Sequence, residues 1–154
     1  MISLLKDYFY KMRKILLLTL IAITILPFSS CKKYEEGPAL TLLSKKQRAA
    51  NTWNILKYYE NGTDKTEDAK SVFGDFVLII DKNNMKYSKT FKALGILPYG
   101  ESGAWKFSSD QSSLEFTPDN TSVSPYNWKI IKLQETELGV TYVYNGITVK
   151  AYFN

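Results

Sequence analysis

From residue 52 onward the sequence alternates apolar and polar residues with a period of two, and turn residues interrupt the alternation every eight to twelve positions or so. That pattern fits strands and excludes long helices, which need a period near 3.6. Eight strands are expected, at 52–60, 75–81, 85–92, 103–108, 113–117, 126–133, 137–144 and 147–153. The breaks between them are Asn61-Gly62 with a polar loop through Ser71, Lys82-Asn83-Asn84, an apolar stretch at 93–100, Asp110-Gln111-Ser112, Pro118 to Pro125, and Asn145-Gly146. The last is the strongest hairpin signal of the chain.

Strands joined mostly by tight turns imply an antiparallel meander, and sequential strands tend to close because closure removes unpaired edges. The expected architecture is therefore all-β: an eight-stranded antiparallel up-and-down barrel, with a two-sheet sandwich as the rival. A short helix precedes it, since residues 41–50 (LTLLSKKQRAA begins one residue earlier) are good helix formers with Thr41 as N-cap. Segment 75–81 is apolar on both faces, which predicts one face inside the barrel and the other beneath that helix.

Residues 15–26 are uncharged and apolar, too short a run to cross a bilayer core of about 20 residues. Lys11, Arg13 and Lys14 precede the run, and Pro27, Ser29 and Ser30 end it, the three-part layout of a secretory signal. Met12 is an alternative start. The segment stops at Cys31, the only cysteine of the chain, and Phe28-Ser29-Ser30-Cys31 resembles the lipobox of bacterial lipoproteins, with Phe28 where an aliphatic residue is usual. That resemblance implies removal of residues 1–30, acylation of Cys31, and a membrane partner reached through two or three acyl chains. The following Lys32-Lys33-Tyr34-Glu35-Glu36 resembles the surface-export signal of Bacteroidetes lipoproteins, which implies an outer-membrane lipoprotein displayed outside the cell. Residues 31–40 are expected to form a solvated tether, and 41–154 the domain.

The chain has no histidine. Histidine-based acid–base catalysis, histidine zinc sites, Cys-x-x-Cys redox pairs and internal disulfides are therefore absent from the list of chemistries. No calcium loop, phosphate-binding glycine loop or activated serine is nominated, and no metal or cofactor is implied; the expectation is a protein that is not an enzyme. After Cys31 there are sixteen bases and fourteen acids, too nearly balanced to favour nucleic acid.

Residues 40–154 resemble the small lipocalin-like domains of bacterial lipoproteins. The resemblance rests on Asn51-Thr52-Trp53 where the family has Gly-x-Trp, on Gly103-Ala104-Trp105 through Phe116, and on Trp128 to Leu133 with Thr136-Glu137-Leu138. It implies that Trp53 plugs the barrel floor. The family's late-strand arginine, which packs on that tryptophan, is missing; Arg48 is the only arginine after Cys31, and Lys150 is the nearest substitute by position. The fold so implied holds a small apolar ligand in its open end or serves as a scaffold whose loops meet a partner.

Trp53, Tyr87, Trp105, Phe107, Phe116, Trp128 and Tyr142 lie on strand faces that can point inward. They form an aromatic-lined cavity for a small apolar ligand, or they fill a small barrel as core; both readings stand. The 93–100 connection carries Leu94, Ile96, Leu97 and Tyr99, unusual for a loop, and reads as a portal lid or docking patch for an envelope protein or glycan, or as a plug folded over the mouth.

Overall fold

The computed structural model describes residues 34–37 and 41–154; the export signal, Cys31 and the remainder of the tether lie outside them. The alternating sequence builds one antiparallel sheet of ten strands among the described residues: β1 (Thr52–Trp53), β2 (Ile55–Glu60), β3 (Thr63–Asp64), β4 (Phe73–Ile80), β5 (Lys86–Ala93), β6 (Leu97–Phe107), β7 (Ser113–Pro118), β8 (Tyr126–Leu133), β9 (Leu138–Tyr144) and β10 (Ile147–Phe153). Their order across the sheet is β1-β4-β5-β6-β7-β8-β9-β10-β2-β3, so each strand from β5 to β10 neighbours its predecessor, the expected meander.

Ten strands replace the expected eight for two local reasons. Segment 52–60 changes partner at Asn54: Trp53 pairs with Leu78 of β4, whereas Ile55 pairs with Phe153 of β10. Asn54 and Asn154 exchange backbone bonds of 2.8 and 3.1 Å across this switch. One chain segment thus serves both ends of the sheet and curls it. The second addition, β3, pairs with the end of β2 beyond the Asn61-Gly62 turn. The expected 93–100 loop shrinks to a tip at Leu94, Gly95 and Ile96, because residues 97–100 continue the β5–β6 ladder, with Phe91 opposite Tyr99. At Asn145-Gly146 both residues take positive φ, 49° and 79°, the turn that the dipeptide predicts.

The N-terminal helix α1 covers Lys45–Ala49, shorter than 41–50, and its cap is Ser44 rather than Thr41: Ser44 accepts from the Gln47 backbone while the Gln47 side chain accepts from Ser44. It packs more against β8 than against β4. Arg48 reaches from α1 to donate to the carbonyl of Leu133 in β8. The helix beside β4 is a second one, α2 (Thr66–Val72), in what reads as a polar loop. Only Ala69 of α2 is buried, so its sequence carries almost no apolar stripe to announce it.

Trp53 is completely buried at the α1 end and its indole N–H donates to the Ala49 carbonyl at 3.0 Å. Arg48, in α1, supplies the buried cation near this end, with its Nε lacking a hydrogen-bond partner. Lys150 does not take the arginine's place, because its ammonium faces outward onto Glu36. The tether is not wholly solvated either. Tyr34 is 4% exposed and joins the core. Its hydroxyl donates to Gln111 O at 3.0 Å, and the Glu36 N–H donates to Ile131 O at 2.7 Å.

Candidate functional site

The β5–β6 ladder places three unlike pairs on the inner face: Tyr87 opposite Gly103, Lys89 opposite Glu101, and Phe91 opposite Tyr99. Gly103 makes room for the first pair. A Cβ there would stand 2.2 Å from Thr117 O and 2.8 Å from the Tyr87 ring. With that space open, the Tyr87 hydroxyl donates to Glu101 Oε1 at 2.8 Å. Tyr99 donates to Oε2 at 2.9 Å, and Tyr126, at the start of β8, donates to Oε1. The Lys89 ammonium lies 3.0 Å from the same Oε1 and donates to the Tyr126 hydroxyl at 3.0 Å. It also stands 4.9 Å from the Tyr126 ring centroid and 6.0 Å from that of Tyr99.

Burial by itself pushes the Glu101 carboxyl up, but the hydrogen bonds from Tyr126, Tyr87 and Lys89, with the Lys89 charge, outweigh it and hold the group below its ordinary value. The phenols move the other way. Burial and the bonds to Glu101 raise Tyr126 and Tyr87 strongly, so both keep their protons and remain donors. The result is a carboxylate fixed in its charged form and surrounded by three phenols and one ammonium.

Above this cluster two hairpin tips form an apolar rim. Leu94, Ile96 and Leu97 are exposed at the β5–β6 tip, and Val143 and Tyr144 at the β9–β10 tip. Burial raises the phenols of Tyr99, Tyr58 and Tyr142, and Tyr144 is near enough to each to add a small further rise. Of the four residues expected in a portal loop, Leu94 and Ile96 lie on the tip itself, while Leu97 and Tyr99 belong to β6.

The seven expected aromatic residues all face the interior or its edge. Phe116 is the hub, with ring centroids 4.9 Å from Tyr87, 5.2 Å from Tyr126 and 5.1 Å from Trp128. Trp128 continues the chain of rings to Tyr142 at 5.5 Å and to Phe153 at 5.6 Å. Trp105 lies 5.6 Å from Phe107 and donates to Asp81 O at 2.8 Å. Trp53 stands apart, buried beside α1. Ring packs against ring through the body of the sheet, and the polar groups collect at the mouth.

Glu101, Lys89 and Tyr126 are the residues that sequence reasoning missed. A signal was present: Lys89 has the inward parity of Tyr87 and Phe91, and Glu101 that of Tyr99 and Trp105. Two charges at inward positions on adjacent strands violate the alternation, and only their pairing explains it. On the outer face lies a groove of about 590 Å³, lined among others by Glu36, Lys57, Lys132, Lys150 and Tyr152. Among the described residues no three His, Cys, Asp or Glu side chains are grouped to hold a metal ion.

No family model and no curated protein matches the chain. Solved structures do. A lipocalin-like protein from Bacteroides uniformis ATCC 8492 is 14% identical, aligning over 70% of this chain and 97% of that one with a TM-score of 0.52. An uncharacterized protein from Bacteroides eggerthii DSM 20697 is 12% identical over 68% of this chain and 96% of its own, with a TM-score of 0.47. The first of these likenesses shows the fold: it is lipocalin-like.

Proposed function

We propose that this lipocalin-like chain is a non-enzymatic binding protein of the cell envelope, carried on lipid at Cys31, which takes a small and largely apolar ligand non-covalently at the mouth of its barrel. The observation that carries the reading is the Glu101 cluster, where three tyrosine hydroxyls and Lys89 converge directly below an apolar rim. Such a mouth offers rings and aliphatic side chains to an apolar body, and a few fixed polar groups to a polar head. The packed rings deeper in the sheet supply rigidity for the mouth. The lipid carries the address, and an outer-membrane position facing outward fits the acidic stretch after Cys31.

Two measurements test this. Native mass spectrometry of the mature protein from its own host, before and after organic extraction, is expected to show a small bound mass that extraction removes and that Tyr99→Ala abolishes. A bound mass unaffected by Tyr99→Ala would place the ligand elsewhere. Cys31→Ala is expected to move the protein out of the membrane fraction or leave its precursor uncut; unchanged fractionation and unchanged mass would sink the lipid anchor.

A second reading is favoured by the rim alone: Leu94, Ile96 and Val143 are 69%, 76% and 70% exposed. In that case the rim docks on an envelope protein or glycan. Mature protein without bound mass, whose cross-links at the rim disappear in Ile96→Asp, would favour it over ligand capture.

A further inference from the structure

The position of Tyr34 orients the molecule. Three chain steps separate it from Cys31, a reach of at most about 11 Å. Tyr34 is not on a loose linker. Its side chain is buried against the turn at 108–112, and its ring lies 6.0 Å from the Lys45 ammonium of α1. The next residues fasten it further. Glu36 accepts from Lys150 Nζ at 2.8 Å and from the Tyr152 hydroxyl at 2.9 Å, and Glu35 pairs with Lys129 at 3.2 Å.

We propose that the end of the barrel formed by α1 and the 108–112 turn rests on the bilayer surface, so that the mouth opens away from the membrane. This rests on the lipidation of Cys31 but not on what the mouth binds. The partner is the plane of lipid headgroups. An anchor within about 11 Å of a buried residue leaves no room for the domain to tumble on its tether. Lys46 is exposed at this end, and the sequence places Lys32 and Lys33 between it and Cys31; Glu35, Glu36 and Asp110 lie nearby, so the short reach rather than the charge carries the orientation. The rim lies at the other end of β6, which runs from Leu97 to Phe107 beside the turn, about 30 Å of strand.

Lysine footprinting tests the orientation on the full mature protein. Its intact mass is read first. If acyl chains are present the protein is used as purified; if not, a maleimide-lipid attached to Cys31, the sole thiol, supplies the anchor, so that failure of natural lipidation and failure of the orientation are separate results. The protein is placed on phosphatidylethanolamine–phosphatidylglycerol vesicles and acetylated, with the vesicle-free Cys31→Ala protein as reference. Acetylation of Lys46 is expected to fall several-fold, while Lys70 of α2 and Lys92 of β5 keep their reference rates. Equal protection of all three, or protection of Lys92 alone, would overturn the proposal. A long Gly/Ser insertion between Lys33 and Tyr34 leaves the barrel intact and should restore Lys46. If protection survives the insertion, the short reach is not its cause and the proposal fails.

Discussion

Glu101 shows what one residue does to both stability and site. Its carboxylate is buried, accepts three phenolic hydrogen bonds and faces one ammonium. Replacing it with Gln keeps the shape but leaves Lys89 without its anion. Glu101→Gln is expected to cost about 2 kcal/mol near neutral pH, read from urea midpoints. The pH dependence has a definite sign. The folded-state value lies below the ordinary 4.5, so the unfolded chain binds the proton more readily. The stabilisation by Glu101 is therefore complete above about pH 4.5 and is lost as pH falls through the folded value. Glu101→Gln should flatten that acid limb, and a limb as steep as the parent's would refute the assignment. Because Lys89 loses its reason for burial at the same time, Glu101→Gln with Lys89→Met should cost less than the two changes summed. Trp53 is the contrasting case, a residue whose role is packing. Trp53→Ala should destabilise by about 3–5 kcal/mol; a loss under about 1 kcal/mol would mean that it does not seal the floor.

Among the elements, Gly103 governs how β5, β6 and β7 meet. Any Cβ there runs into the Thr117 carbonyl, which is backbone and cannot swing aside. Gly103→Ala should cost about 1–3 kcal/mol in thermal or urea unfolding and should loosen the Tyr87 bond to Glu101, seen as a lower Tyr87 phenol value. A neutral substitution would show that β6 and β7 have slack. This element also marks where the sequence was readable. The strands from 126 to 153 stood out because apolar positions such as Ile130, Val140, Val149 and Ala151 recur at period two and Asn145-Gly146 sets the register. The start of β6 did not, because Leu94, Ile96, Leu97 and Tyr99 lie at a barrel mouth, where outward and inward residues alike are exposed. Helix α2 was hidden for the opposite reason: its only buried side chain is Ala69. The split at Asn54 depends on a choice between β4 and β10, and no local pattern encodes which distant strand a residue will pair with. In the Glu101 cluster the inward parity of Lys89 and Glu101 was readable, but Tyr126 was out of reach for the same reason, since it comes from a strand 25 residues away.

At the scale of the whole molecule, the curled sheet depends on one seam. Apart from the short pairing of β1 with β4, the other strand pairings join neighbours along the chain, but β10 meets β2 across almost the full length of the domain. The pairing that closes it carries a large loop-closure cost and forms only when both ends are already shaped. Phe153 stabilises the seam from inside: it is 3% exposed, with ring centroids 5.6 Å from Trp128 and 5.7 Å from Phe76. Asn154 completes it with its two backbone bonds to Asn54. Removing Tyr152 to Asn154 therefore deletes the inner ring and the last ladder bonds together, and it leaves part of β2 as an unpaired edge. Such an edge either frays or pairs with a second copy. The truncated protein is expected to melt at least ten degrees or so lower, since loss of a buried aromatic costs several kcal/mol in a domain of this size. It should also sediment partly as a dimer. Phe153→Leu keeps the ladder and loses only the ring, so it should lower the melting temperature without creating dimers. If the truncated and the Phe153→Leu proteins behave alike, the ring alone stabilises the closure and the backbone bonds at Asn54 contribute little. If the truncated protein remains monomeric and as stable as the parent, the ends of the sheet are held by β1 and β4, and the seam is not where the curl is fixed.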